Sequence, residues 1–285
     1  METRLISPQG KEVIIGEGRP TFLIGERINP FGKGPIKEAL LSGEMEPICR
    51  EAEQQVAAGA DILIVSTNAF GVHEPEVFPR VIQEIRRIVD VPLCLESRNP
   101  LALSQALKTG LGKPIISSVG KEEAVVAQIL PLVKEYKTAV VLLASDESGI
   151  PKEPERRVEI IKTLLKRVET LGIPREDILV DCVAESSAVN DKAVSITLET
   201  MARIKTELGL NLILGASNVS FGLPKRMVIN RAFIPMAIQA GLNCAIADAA
   251  KMKPTVMAVD LLLGRDPRAR RYATYCRKLK SASVS

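Results

Sequence analysis

Short apolar runs alternate with longer amphipathic segments along the whole chain. Eight short runs stand out: 21–26 (TFLIGE), 61–66 (DILIVS), 92–96 (PLCLE), 114–118 (PIISS), 138–144 (TAVVLLA), 178–182 (ILVDC), 211–217 (NLILGAS) and 243–247 (NCAIA). Each is continuous rather than alternating and rich in Val, Ile and Leu, the signature of a strand covered on both faces. Between them the apolar positions recur at helical spacing. Val158, Ile161, Leu165 and Val168 follow a first turn at Pro154 and Glu155, and Val194, Leu198, Met201 and Leu208 repeat the pattern. Gly59 and the stretch Leu171-Gly172-Ile173-Pro174 read as helix stops.

Eight alternations with helix-length crossovers require parallel pairing and right-handed connections. The count of eight favours a closed (β/α)8 TIM barrel in the α/β class over an open doubly wound sheet. A dinucleotide fold would place G-x-G-x-x-G after its first strand, where this chain has Gly25-Glu26-Arg27-Ile28-Asn29. No linker or low-complexity stretch divides the sequence, so residues 1–285 read as one domain. Residues 1–20 are expected to form an N-terminal hairpin or cap, and 266–285 a trailing helix with a tail.

The composition fits this picture. Hydrophobic residues make up 46% of the 285, yet aromatics only 3%, with no Trp, so the core must be aliphatic. Such a core suits the layered interior of a parallel barrel. The same scarcity of stacking platforms argues against single-stranded nucleic-acid binding. Five cysteines without a CxxC pair, and the single His73, disfavour a disulfide framework or a zinc site and fit a reducing cytoplasm. No apolar run reaches 18 residues, so no membrane span is expected. The net charge of +4 comes largely from Arg265 through Arg271, with Arg277, Lys278 and Lys280. These read as a solvated terminal helix, or as a docking site for an acidic partner.

Chemistry in such barrels sits at the C-terminal ends of the strands. Those ends carry Glu26 and Asn29, Ser66 and Asn68, Glu96 and Asn99, Ser117 and Ser118, Asp146, Asp181 and Glu185, Ser217 and Asn218, and Asp248. Any one of them alone suits a helix cap or turn. Three carboxylates at one mouth, Glu96, Asp181 and Asp248, with amides and few cations, suit a neutral heterocycle bearing several N–H donors. A phosphate-rich ligand would want a glycine cradle or an Arg/Lys cluster. There is no G-x-S-x-G elbow, and Lys225, Lys251 and Lys253 lie beyond their strands in positions expected to be solvated.

The most specific stretch is Gly215-Ala216-Ser217-Asn218-Val219-Ser220-Phe221-Gly222-Leu223-Pro224-Lys225-Arg226. It resembles the strand-seven signature of the methyltetrahydrofolate:corrinoid protein methyltransferases, which are pterin-binding TIM barrels. Ile24 to Asn29, Leu95 to Ser97, Gly149 to Lys152, and Ile229 to Phe233 running on to Gly241–Asp248 are similar to the family's other motifs, in order. The resemblance implies a methyl exchange between N5 of tetrahydrofolate and the cobalt of a corrinoid carried on a partner protein. It implies no protein-bound metal, and a homodimer. By position Asn218 becomes the catalytic amide at N5, where a preorganised donor stabilises the leaving nitrogen. Asp181 and Glu96 take the pterin's N–H edge, and Ser117, Gly215, Ser217, Phe221 and Arg226 shape the pocket. An amide does not give up a proton at neutral pH, so the proton that N5 takes must come from water or a hydrogen-bonded network.

Four positions depart from the family pattern, among them Glu96, which stands where an Asp is usual and reaches one methylene further. Ile64 and Ser66 stand where an Asp-x-Asn pair is usual, and Ser117 replaces an Asn. Two alternatives follow. One is a dihydropteroate synthase-like enzyme, although Asp248-Ala249-Ala250 replaces the basic phosphate motif expected near the last strand. The other is a non-catalytic pterin-binding or corrinoid-docking subunit.

Overall fold

The computed structural model describes residues 1–31 and 34–282. Residues 283–285 of the expected tail and the Lys280 side chain lie outside the described residues. Eight parallel strands close into a barrel in chain order: β3 (Phe22–Ile28), β4 (Ile62–Ser66), β5 (Leu93–Glu96), β6 (Ile115–Val119), β7 (Ala139–Leu143), β8 (Ile178–Asp181), β9 (Asn211–Gly215) and β10 (Cys244–Ala247), with β10 pairing back to β3. The eight apolar runs are these eight strands. The helices between them are α1 (Pro35–Ser42), α2 (Glu46–Ala57), α3 (Glu74–Ile88), α4 (Pro100–Leu107), α5 (Glu123–Tyr136), α6 (Pro154–Thr170), α7 (Ala193–Arg203), α8 (Arg226–Gln239), α9 (Ala249–Leu262) and α10 (Arg270–Ala282).

Alternate strand residues serve two cores. Leu63 and Val65, Leu93 and Leu95, and Ile116 face outward into the layer beneath the helices. Ile62 and Ile64, Cys94, Ile115, Val141, Leu179, Ile213 and Cys244 fill the barrel interior. The two-residue period of a strand produces this division without a visible sequence alternation, because both faces are buried.

The bottom of the barrel is closed by an antiparallel hairpin, β1 (Glu2–Ile6) and β2 (Glu12–Gly16), whose Leu5, Val13 and Ile15 join the interior cluster. Asn211 Nδ2 fastens it by donating to Thr3 Oγ1 at 3.0 Å and to the Ile15 carbonyl at 3.2 Å. Asn243 Nδ2 donates to the Gly16 carbonyl at 3.1 Å. With its base plugged, the barrel is open only at the C-terminal mouth.

Two expectations about cations need correction. Lys253 is buried rather than solvated, because it closes an ion pair with Asp61 at 3.1 Å beneath the barrel. The basic C-terminal stretch is partly anchored. Fully buried Asp260 accepts from Thr21 N and Oγ1 and draws in Arg271 at 3.3 Å and Arg265 at 3.7 Å. A buried carboxylate needs such partners, so these arginines dock α10 instead of facing water. Among the described residues no helix is long and apolar enough to cross a membrane.

Candidate active site

Strand register decides which polar residues share the mouth. Ser66, Glu96 and Ser117 are paired across β4, β5 and β6, so they stand at one level. One inward step below them Ile64, Cys94 and Ile115 form the next layer. Ile64 is therefore floor, and Ser66 is the β4 residue at the mouth. Burial raises the Glu96 carboxyl above its ordinary range, while a hydrogen bond from the Ser66 side chain opposes the shift. Asn29 Nδ2 approaches Glu96 Oε2 at 3.4 Å, a long contact. Burial pushes the Cys94 thiol well above its ordinary range, and the Ser117 hydroxyl opposes the shift.

Across the barrel Asp181 ends β8. Burial pushes its carboxyl up to about 6; the Val183 and Gly215 N–H groups and the nearby Arg157 charge work against that, and Glu96 adds to it. Val183 N donates to Oδ1 at 2.7 Å. It can do so because Val183 adopts φ +61°, a conformation that β-branched residues rarely take. The conformation is fixed from behind by Arg157 of α6, which is 0% exposed. Its guanidinium donates to the carbonyls of Pro151, Cys182 and Val183 at 2.7–2.8 Å, and to Glu185 Oε2 at 2.8 Å. Lys152 Nζ completes the pairing of Glu185 at 2.5 Å.

After β9 the chain turns through one short 3-10 segment, Ala216–Ser220. Arg226, at the start of α8, holds this turn. Its Nη2 donates to the Ser217 carbonyl at 2.8 Å and its Nε to Ser220 Oγ at 3.1 Å, and the guanidinium lies 5.8 Å from the Phe221 ring centroid. Phe221 in turn meets Phe31 edge to face at 6.2 Å, joining the loops after β9 and β3. Asn218 is exposed at the top of the turn, and a Cβ on Gly215 would come within 2.9 Å of its Nδ2.

Ser217 Oγ donates to Glu26 Oε2 at 2.5 Å. Burial raises the Glu26 carboxyl and the Asp248 charge adds to this, while the Ser217 hydrogen bond, the Arg226 charge and a hydrogen bond from the Asp248 N–H oppose it. Glu26 ends the straight part of β3, next to a register break that Gly25 makes room for. A Cβ there would collide with Gln55 Oε1 at 2.4 Å, the oxygen that accepts from Arg27 N. A cavity of about 880 Å³ opens here. Glu26, Asn29, Ser217, Asn218, Phe221 and Arg226 line it, with Arg27, Lys37, Ile150 and Val189 at its sides.

The expectation of few cations at the mouth is thus corrected, since Arg27, Lys37 and Arg226 all reach the cavity. Two of them are engaged, Arg27 with Glu51 at 2.8 Å and Arg226 with the turn. Asp248 pairs with Lys251 at 2.8 Å and lies 3.7 Å from Arg27, so it is not a third carboxylate free for a ligand. Asn99 caps α4 by accepting from Leu101 N and Ala102 N, and Asp146 ties a turn to Ser148 and Arg156. Asn68 is exposed, and His73 precedes α3 with Glu76 3.2 Å away. Of the site residues read from sequence, Gly215, Ser217, Asn218, Phe221 and Arg226 form one turn, Glu96 and Ser117 are paired on the adjacent strands β5 and β6, and Asp181 ends β8 with β7 between. Glu26 carried no assigned role in the sequence; its hydrogen bond to Ser217 spans 191 positions and leaves no local signal. Among the described residues no group of three or more His, Cys, Asp or Glu side chains is placed to hold a metal ion.

This arrangement has relatives. The chain is 26% identical over 269 residues to the methylcorrinoid:tetrahydrofolate methyltransferase of Eubacterium limosum, covering 92% of this chain and 98% of that protein. It is 28% identical over 246 residues to the methionine synthase of Mycobacterium leprae, covering 82% of this chain but spanning only 20% of that longer protein. In architecture it is similar to a dihydropteroate synthase from Coxiella burnetii solved with pteroic acid. That match has a TM-score of 0.66 at 16% identity over 91% of this chain and 98% of the other, a likeness of fold. The family model for pterin binding enzymes matches residues 25–248, from the start of the mouth at β3 to the end of β10. The chain belongs to the pterin-binding enzyme family.

Proposed function

We propose that this enzyme exchanges a methyl group between N5 of tetrahydrofolate and a corrinoid carried on a partner protein. The observation that carries the reading is the Asn218 turn: an exposed amide on the wall of an 880 Å³ cavity, held by Arg226 and seated over Gly215. The likeness to a full-length methylcorrinoid:tetrahydrofolate methyltransferase supports it.

In this reading Asp181, oriented by the Val183 and Gly215 N–H groups, accepts from the donor edge of the pterin, and Glu96 assists from β5. Ile64 lies beneath the ring as apolar floor. The reduced corrinoid supplies the nucleophile and receives the methyl group. As the methyl–N5 bond breaks, its electron pair stays on N5, and the Asn218 amide N–H stabilises the charge that develops there. Phe31, Phe70, Val189 and Phe221 are exposed around the mouth, an apolar collar suited to a docking corrinoid protein. Val228 and Met236 on α8 and Leu262 at the end of α9 are also exposed, and suit a second copy of the chain in a homodimer.

The test is a stopped-flow assay with 5-methyltetrahydrofolate and cob(I)alamin. Loss of the cob(I)alamin absorbance, saturable in folate, is the expected result. Folate binding without transfer would identify a non-catalytic pterin-binding subunit instead. Condensation of a dihydropterin diphosphate with p-aminobenzoate would move the chain to the synthases.

A further inference from the structure

We propose that Glu26 is the proton donor to the pterin nitrogen that releases the methyl group, acting through its hydrogen bond with Ser217. This rests on the methyl-transfer reading above. Three observations converge on it.

The site needs an acid that Asn218 cannot be, because an amide does not release a proton at neutral pH. Three other carboxylates near the mouth are engaged by cations. Glu185 is paired with Arg157 and Lys152, Glu51 with Arg27, and Asp248 with Lys251 and, more distantly, Arg27. Asp181 accepts from the Val183 and Gly215 N–H groups and is not among the residues that line the cavity with Asn218. Glu96 lies on β5, bonded to Ser66 and approached by Asn29 Nδ2 at 3.4 Å, and it too is not among the residues that line the cavity.

Glu26 shares a carboxyl raised by burial with Glu96 and Asp181 and differs from both in its place on the cavity wall. It lines the cavity together with Asn218, and among the described residues it has no ion-pair partner. The charged groups facing it are Asp248 at the start of α9 and Arg226 on α8, which act in opposite directions, and burial favours its neutral form. Arg27, next to it on β3, is turned to Glu51 of α2 and to Asp248.

Ser217 supplies the connection. Its hydroxyl is 2.5 Å from Glu26 Oε2 and precedes Asn218 in the chain. A hydroxyl both donates and accepts, so it can hand on a proton that a carboxyl releases. The step balances. The methyl–N5 bond breaks heterolytically with its electron pair left on N5, and the methyl goes to the corrinoid nucleophile. The Glu26 O–H bond breaks as an N5–H bond forms, directly or across Ser217. Glu26 is left as a carboxylate and regains a proton from solvent after product leaves. In the reverse direction the Glu26 carboxylate removes the N5 proton.

The experiment compares the wild type, Glu26→Gln and Glu26→Ala in single-turnover transfer from 5-methyltetrahydrofolate to cob(I)alamin between pH 5.5 and 8, with folate affinity measured separately. Gln keeps an acceptor for the Ser217 hydroxyl and loses the proton; Ala loses both. The wild-type rate should fall with rising pH. Glu26→Gln should be slower by about 10²-fold at low pH, the scale of general acid catalysis, and should lose that slope, with folate affinity kept within about twofold. A Gln variant with the wild-type rate and pH profile overturns the proposal. So does an Ala defect fully rescued by Gln, which would make Glu26 a positioning residue for the turn. A wild type that binds folate but transfers nothing at any pH sinks the methyl-transfer reading itself, a result distinct from either.

Discussion

A Cβ added to Gly215 would lie 2.9 Å from Asn218 Nδ2, and among the described residues that contact is the only crowding around this glycine within 3.4 Å. The backbone at Gly215 has φ −67°, which any residue tolerates, so glycine is needed here for space and not for conformation. Gly215→Ala should therefore fold with stability within about 1 kcal/mol of the wild type. It should displace the Asn218 amide and slow methyl transfer. Urea unfolding and stopped-flow transfer on one preparation check both halves. An unaltered transfer rate would show that the amide has room to adjust.

Removing the amide itself is the sharper test. Asn218→Ala should slow methyl transfer by ~10²-fold, the scale of losing one transition-state donor, and leave folate affinity nearly unchanged. Asn218 is exposed, so no cavity in the core follows and the melting temperature should hold. Equal losses in affinity and rate would make Asn218 a ground-state contact instead.

Asp181 should make pterin binding depend on pH. Its folded carboxyl titrates near 6, above the ordinary aspartate value, because burial disfavours the charge. If the carboxylate accepts the pterin N–H edge, affinity is full above that value and weakens as pH falls through it, by up to about tenfold per pH unit. Stability runs the other way. Between about pH 4 and 6 the folded state holds a proton that the unfolded chain has lost, so this residue's contribution declines as pH rises across that window. Asp181→Asn should remove both dependences and weaken binding above pH 7 by about 1–3 kcal/mol. Fluorescence titration of a pterin from pH 5 to 8 reads the result, and a flat wild-type profile would relocate the ring.

The fold was legible because its signal is local. Eight Val/Ile/Leu runs separated by helical periodicity name a parallel barrel, and each run became a strand to within two residues at either end. The turn from Gly215 to Arg226 was legible as a continuous motif. What escaped were interactions closed by the barrel itself. Glu26 and Ser217 meet only because β10 joins β3 beside β9. Asp248 looked like a ligand carboxylate at a strand end until Lys251 and Arg27 appeared beside it. Lys253 looked solvated because nothing in sequence places Asp61 under α9. Ile64 stood out as a missing polar ligand, whereas the two-residue period of β4 puts Ser66, not Ile64, at the mouth.

The last prediction concerns a residue with no sequence signal at all. Arg157 reads as one charge among several on α6, yet it is fully buried, and its guanidinium ties together the loops after β7 and β8. Its donation to the Val183 carbonyl at 2.8 Å steadies the positive-φ backbone that aims Val183 N at Asp181. Arg157→Met matches much of the side chain's length but leaves three carbonyls without this donor and Glu185 with only Lys152. Breaking a buried pair in this way costs about 3–5 kcal/mol. Arg157→Lys keeps the charge but not the planar fork, so it should recover only a minor part of that loss. Pterin affinity should fall in both variants even where each remains folded, because Asp181 loses its fixed orientation. Urea unfolding with and without saturating folate separates the two effects. If both variants match the wild type in stability and affinity, the loop after β8 is held by its own turn, and Arg157 has no part in aiming Asp181.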